Sequence, residues 1–247
     1  MPRFQEQAVV LRSADWSETS QLVTLWTRGR GRIRGLAKGS KRWSPSAIER
    51  FSGGLELLTL GQACGVTRAG SELATITEWD LQDDCLHLRR NLEAQRVGLY
   101  VADVTVRFFE DEDPHEGLFE ALVDFVTGLR SGDAGEVLLG YQWRLLKEAG
   151  YEPRVSEDVR TGEALPGGRA SWFDAPSGGF TMVSEGMVDP DRWRVRAKTV
   201  GLIQRVAASE SIEGAELETV KRANRLLVAY TRELLGVETE TMRAVLG

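Results

Sequence analysis

The stretch from Arg28 to Arg42 carries Arg28, Arg30, Arg32, Arg34, Lys38, Lys41 and Arg42, seven positive charges in fifteen residues with no acid among them. Fixed cations at this density suit the capture of a polyanion, each Lys or Arg replacing a counterion condensed on a phosphate. The first four follow a spacing of two, which on a strand puts every side chain on one face. Gly29, Gly31 and Gly35 argue against a helix, each costing about 1 kcal/mol relative to alanine, so a tight turn around 28–31 running into a strand over 32–38 is predicted. Arg32 and Arg34 then form a row with Ile33 opposite. That row faces solvent or an anion, because unpaired buried guanidinium groups cost on the order of several kcal/mol each. Beyond the flexible Gly39-Ser40, Lys41-Arg42-Trp43 joins phosphate binding to an aromatic ring on which a base can stack. A tryptophan so placed more often packs back onto its own fold. The plainer reading of the whole window is a solvated charged face that aids solubility.

Other chemistries fit less well. Gly29-x-Gly31-x-x-x-Gly35 is only loosely a dinucleotide fingerprint, which needs a helix to begin there. Lys38-Gly39-Ser40 lacks the glycine frame of a phosphate-binding loop, and no nucleophile elbow or helix-spaced histidine pair occurs. His87 and His115 read as surface or half-buried side chains, not ligands. Cys64 and Cys85, the only cysteines, make neither a disulfide framework nor a paired-cysteine zinc site. The acidic run Glu110-Asp111-Glu112-Asp113 lacks a spacing that would converge oxygens on a metal and reads as a solvated inter-helix loop. No catalytic residue, cofactor or metal is therefore expected.

Short apolar runs at Ala8–Leu11, Leu22–Trp26, Leu55–Leu60 and Ala74–Trp79, separated by Gly, Ser and Asp clusters, make residues 1–80 a β region. Five or so short strands suit a Greek-key OB-fold barrel. From residue 81 the period turns helical, with Leu86, Leu88, Leu92, Val97, Leu99, Val101 and Val104 in a Pro-free stretch. Helices are predicted over 115–130, 136–149, 191–209 and 216–235. The segment 151–190 holds Pro153, Pro166, Pro176, Pro190 and two Gly-Gly pairs, so loops and short hairpins are expected. The fold class is thus α+β: an OB-fold barrel (1–80), then a mainly helical domain (81–247) with an irregular insertion.

The chain has 247 residues, 42% hydrophobic and 28% charged, with a formal net charge of −6. A sizeable core is possible, and disorder throughout is excluded. Neither an apolar stretch of about 18 residues nor a signal-like start occurs, so a soluble, cytoplasmic protein with no membrane partner is expected. Residues 1–60 hold ten basic residues and five acidic ones, so the remainder carries the negative charge. An acidic chain already has solubility, and a single-sign patch on it favours nucleic-acid contact over the solvated-face reading.

Several strings resemble the bacterial RecO family of DNA repair proteins: Ala8-Val9-Val10-Leu11-Arg12, Glu18 through Thr27, and Gly31 through Arg42 in the barrel. Leu99 through Asp103, Leu118 through Leu122, Leu145 through Pro153 and Gly178-Gly179-Phe180 follow in the family's order. The resemblance implies a recombination mediator that binds single- and double-stranded DNA, anneals strands coated with single-stranded-DNA-binding protein, and works with RecR. Many members carry a four-cysteine zinc finger. The approximate counterparts here are Asp158, Thr161, Met182 and Glu185, which cannot form a closed thiolate site. No zinc is expected, and Trp172, Phe173 and Phe180 should hold the loop by packing instead.

On this reading Arg28, Arg30, Arg32, Arg34, Lys38, Lys41 and Arg42 are phosphate contacts, with Trp43 beside them and Arg3 and Arg12 as further candidates. The acidic helical part suits protein partners. Arg192, Arg194, Arg196, Lys198, Lys221, Arg222 and Arg225 could receive the acidic tail of single-stranded-DNA-binding protein, or make ordinary surface ion pairs. A protein-only adaptor and an RNA-binding OB module remain as alternatives.

Overall fold

A computed structural model describes residues 2–52, 54–166, 169–183 and 192–246. Strands β1 (Arg3–Ser17), β2 (Ser20–Thr27) and β3 (Gly31–Ala37) form an antiparallel meander. After α1 (Pro45–Arg50) and the two-residue β4 (Phe51–Ser52), β5 (Leu60–Val66) and β6 (Ala74–Asp83) complete the sheet. β5 pairs with β1 and β6, and a parallel pairing of β3 with β6 closes a five-stranded barrel in the OB arrangement. Alternation along the strands sends Val23, Leu25, Ile33, Ala63 and Ile76 inward to meet Phe4, Val10, Phe51 and Trp79.

The Leu55–Leu60 run departs from expectation. Leu55 and Leu58 are buried, but Leu58 has a φ of +60° and strand geometry begins only at Leu60. The Leu58 N–H donates to the Val10 carbonyl, and the Val10 N–H donates to that of Thr59. The run is a turn that places Leu55 in the barrel core and Leu58 against Gly98, so its apolar content signalled burial and not extension.

Helices α2 (Leu86–Arg90), α3 (Leu92–Phe108) and α4 (Glu116–Gly128) follow. Asn91 caps α3, its Oδ1 accepting from the N–H groups of Glu93 and Ala94. Val97, Val101 and Val104 are buried as the period implied, whereas Leu92 and Leu99 are exposed. The change from strand to helix thus falls after Asp83. By packing, however, the chain divides into units Met1–Ser131 and Gly132–Gly247, so α2, α3 and α4 belong with the barrel.

The second unit contains α5 (Ala134–Glu148), α6 (Ala197–Ala207), α7 (Leu217–Leu235), α8 (Glu240–Leu246) and a small sheet. The sheet order is β8-β7-β9, from β7 (Ser171–Asp174), β8 (Gly179–Thr181) and β9 (Arg192–Val195). Here 192–195 is strand where helix was expected: alternation of Trp193 and Val195 with arginines has period two, and its partner β7 lies outside any local window. A buried Gln142 to Asn224 hydrogen bond of 2.7 Å fixes α5 against α7. Phe173 and Phe180 are fully buried edge to face at 5.2 Å, with Trp193 stacked on Phe173 and Tyr230 at its edge. Trp172 is only half-buried, and Trp193 takes the packing role expected of it.

Candidate nucleic-acid interface

β3 places Arg32 and Arg34 on the outer face of the barrel with Ile33 buried opposite, as the spacing of two requires. The anion they face is the chain's own. Asp111 accepts from Arg32 Nε at 2.5 Å and from Arg34 Nε at 2.7 Å. Arg30 pairs with Glu112 at 2.8 Å, and Arg28 with Glu120 at 2.7 Å. Arg32 also donates to the Val106 carbonyl, and the Glu112 N–H donates to the Arg32 carbonyl at 2.9 Å. Gly31, with a φ of +64°, lies so close beneath Asp113 that a β-carbon would overlap its backbone carbonyl. Phe109 meets Trp26 edge-on at 5.2 Å and continues the cover.

Within the largely exposed acidic run, Asp111 and Glu112 are counter-ions of Arg30, Arg32 and Arg34, while Arg28 pairs beyond the run with Glu116 and Glu120. Arg28, Arg30, Arg32 and Arg34 each hold a carboxylate of the chain itself, so a phosphate would have to compete with it. The matching signal in the sequence was a set of acids, Asp111, Glu112, Glu116 and Glu120, opposite in sign to the arginines, but some 80 residues separate them.

The other half of the basic window is built differently. After β3 the chain turns through Gly39, whose φ of +75° suits glycine. The turn is pinned to the β1–β2 hairpin by three bonds: the Gly39 N–H to Ser20 Oγ, the Ser40 hydroxyl to Gln21 Oε1, and the Lys41 N–H to the Thr19 carbonyl. Lys41 Nζ pairs with Asp15 at 2.6 Å. Lys38 and Arg42 are exposed with no carboxylate partner among the described residues. Arg50, which donates to the Ser46 carbonyl and lies over Phe51, adds a third exposed cation. A cleft of about 440 Å³ runs among Trp16, Leu36, Lys38, Gly39, Arg42 and Arg50. Trp43 is 96% exposed and does not pack onto the barrel. Of the further candidates, Arg12 pairs with Asp103 at 3.2 Å, and Arg3 is exposed at the start of β1.

A model of the recombination protein O N-terminal domain matches residues 1–84, and one of its C-terminal domain matches residues 89–243. The chain belongs to the RecO family. A DNA repair protein RecO of Anaeromyxobacter sp. (strain K) is 32% identical over 241 residues, 96% of this chain and 93% of that protein. That of Azoarcus sp. (strain BH72) is 29% identical over 254 residues, 98% and 94% of the two chains. The Rhodopirellula baltica protein is 32% identical over 175 residues, 70% of this chain and 63% of that one. Membership of this family gives the chain a role in DNA repair by recombination.

At the finger positions, Asp158 is buried and acts as a hub. Its Oδ1 accepts from the N–H groups of Arg160 and Thr161, and its Oδ2 from the Thr181 hydroxyl and the Met182 N–H. Burial pushes this carboxyl's pKa up, but the bonds from Met182, Arg160, Thr181 and Thr161 outweigh it and hold it below the usual carboxylate range. A hydrogen-bonded carboxylate thus joins the 158–161 turn to the end of β8. Glu185 lies outside the described residues.

In the helical unit Arg192 is buried and pairs with Asp174 at 3.2 Å, so it is no surface contact. Lys198 pairs with Glu216 and Arg222 with Glu218. Arg194, Arg196, Lys221 and Arg225 are exposed. Neither thiol is poised as a nucleophile. Burial, then Asp83, pushes Cys85 up to about 12, and burial, then Glu78, raises Cys64. His87 meets the Val126 carbonyl at 2.7 Å and His115 meets Asp113 at 3.1 Å. Among the described residues no cluster of His, Cys, Asp and Glu is grouped to hold a metal ion.

Proposed function

We propose that this chain is a non-enzymatic recombination mediator that binds single- and double-stranded DNA through the barrel end formed by the β1–β2 hairpin and the Lys38–Trp43 turn. One observation carries the reading: Lys38 and Arg42, on a turn held in place by the hairpin, and Arg50, at the end of α1, line a cleft to which no carboxylate contributes among the described residues. Cations without a carboxylate partner can take phosphates in exchange for condensed counterions without first breaking an ion pair. Annealing needs no bond chemistry, because screening the repulsion between two strands lowers the barrier to pairing.

Action on strands coated with single-stranded-DNA-binding protein, together with RecR, completes the proposal. Exposed Arg196, Lys221 and Arg225 are candidates for receiving an acidic protein tail, with Lys221 and Arg225 one turn apart on α7.

The test is a titration of the full chain against a labelled oligonucleotide at several salt concentrations. Replacing Lys38 and Arg42 together by Ala should flatten the plot of log affinity against log salt by about 1.4, at roughly 0.7 per single-strand contact. Absence of binding at low salt would overturn the proposal and leave a protein-only adaptor.

A further inference from the structure

Among the seven tryptophans, Trp26, Trp79 and Trp143 are buried and Trp172 and Trp193 half-buried. The two exposed ones, Trp16 at 61% and Trp43 at 96%, both lie at the barrel end just described. Large aromatic rings left in water where they could have been buried forgo a stabilising contribution, and such exposure commonly marks a contact surface.

Trp16 owes its position to the strand register. Asp15 pairs with Gln21 and Ser17 with Ser20, so Trp16 is the extra residue of a β-bulge. A bulge re-aims the side chain it carries, and this one lines the cleft with Lys38, Arg42 and Arg50. Trp43 follows Arg42 directly and precedes Ser44, whose hydroxyl caps α1 by accepting from the Ala47 N–H. The Trp43 backbone is thus held between an anchored turn and a capped helix, while its ring stays free. Trp16 lines the cleft beside the cations, and Trp43 adjoins it next to Arg42 in the chain.

We infer that this end of the barrel reads unpaired bases: Trp16 and Trp43 each take the face of a nucleobase, and Lys38, Arg42 and Arg50 hold the adjoining phosphates. The inference rests on the proposed nucleic-acid reading and deepens it, because in a duplex the base faces are buried in the stack and no ring can take them. Stacking is tolerant of sequence, since every base has a π face. The site therefore selects single strand over duplex without selecting sequence.

The experiment compares three probes on the full chain at one salt concentration: a mixed-sequence single strand, an abasic strand with the same number of phosphates, and the corresponding duplex. The base-bearing strand should bind tightest. Trp16→Ala and Trp43→Ala should each weaken it at least about fivefold while leaving the abasic strand unchanged, and Trp43→Phe should retain most of the affinity. Equal, salt-sensitive binding of abasic and base-bearing strands would overturn the stacking inference and leave the phosphate contacts standing. Equal losses on both strands in the Ala variants would also overturn it, since they would report a displaced turn. Failure of the unmodified chain to bind any probe at low salt would remove the nucleic-acid reading itself.

Discussion

Arg32 and Arg42 stand ten residues apart in one basic window, yet their surroundings are opposite. Arg32 is bound to Asp111 and the Val106 carbonyl, under a loop that also hydrogen-bonds its backbone. Arg42 has no carboxylate partner among the described residues and borders an open cleft. The difference arises from what each half must do for the fold. The first half lies on the β2–β3 turn and the outer face of β3, part of the face an OB barrel commonly uses for oligonucleotides, and here residues of the α3–α4 connection pair with it. The second half lies on a turn whose Lys38, Lys41, Arg42 and Trp43 are exposed. Charge density along the sequence does not say which cations the fold leaves without an internal partner.

The sharpest way to break this contrast is Gly31→Ala. The new β-carbon meets the Asp113 carbonyl, and the φ of +64° disfavours any L side chain, so the loop must lift from β3. Stability to urea should fall by about 3 kcal/mol or more, the range reserved for such backbone conflicts. Lifting the loop also bares Arg32 and Arg34. If low-salt DNA affinity rises as stability falls, the covered half is a latent phosphate track. Unchanged affinity is expected if the pairs serve only to hold the loop.

Replacing Arg32 and Arg34 together by Ala is the next largest. Asp111, only 31% exposed at its side chain, loses both charged donors, and unfolding free energy should drop by about 2 kcal/mol. The salt slope of DNA binding should not change. A flattening of about 1.4 with the fold intact would return these residues to the phosphate contacts.

Asp158 tests the same principle in the other unit, where a carboxylate again anchors a loop, but through hydrogen bonds and not through arginines. Asp158→Asn turns one acceptor oxygen into a donor facing the Met182 N–H and the Thr181 hydroxyl, and should cost about 2 kcal/mol. The sign of the pH dependence follows from its depressed pKa. The stabilisation is fully present above the unfolded value of about 3.9 and is lost as pH falls through the folded one. The Asn variant should therefore show a shallower loss of stability in acid. An identical acid limb in both proteins would mean that the carboxylate contributes no pH-dependent stability.

The barrel was legible because strand alternation is local: Ile33 and Val23 sort inward by neighbours two positions away. So were α4 and α5, whose period and whose break at Ser131-Gly132-Asp133 lie within one window. The pairings of Arg28 through Arg34 with residues 111–120, and of Arg192 with Asp174, were not legible, because charge complementarity across a chain does not say which opposite charges meet. Leu55–Leu60 misled for a related reason, since an apolar run reports burial whether the backbone extends or turns. Trp16 escaped notice because a bulge is a property of register, and register needs both strands.

Lys41 lies on the border between the two halves, and replacing it has the smallest expected effect. Its ammonium is 2.6 Å from Asp15, with side-chain exposures of 38% and 65%, an exposed pair worth about 0–1 kcal/mol. The turn keeps its three other bonds to the hairpin without it, so Lys41→Ala should change stability by less than about 0.5 kcal/mol. Counted as a free cation, Lys41 would carry a slope of about 0.7. Counted as Asp15's partner it carries none, and its loss leaves an unpaired acid beside the phosphate path. The second outcome is expected: affinity lower by roughly twofold, an offset of about 0.4 kcal/mol, with the slope unchanged. A full 0.7 decrease would show that DNA draws Lys41 away from Asp15, and would extend the free half of the window by one residue at the expense of the paired half.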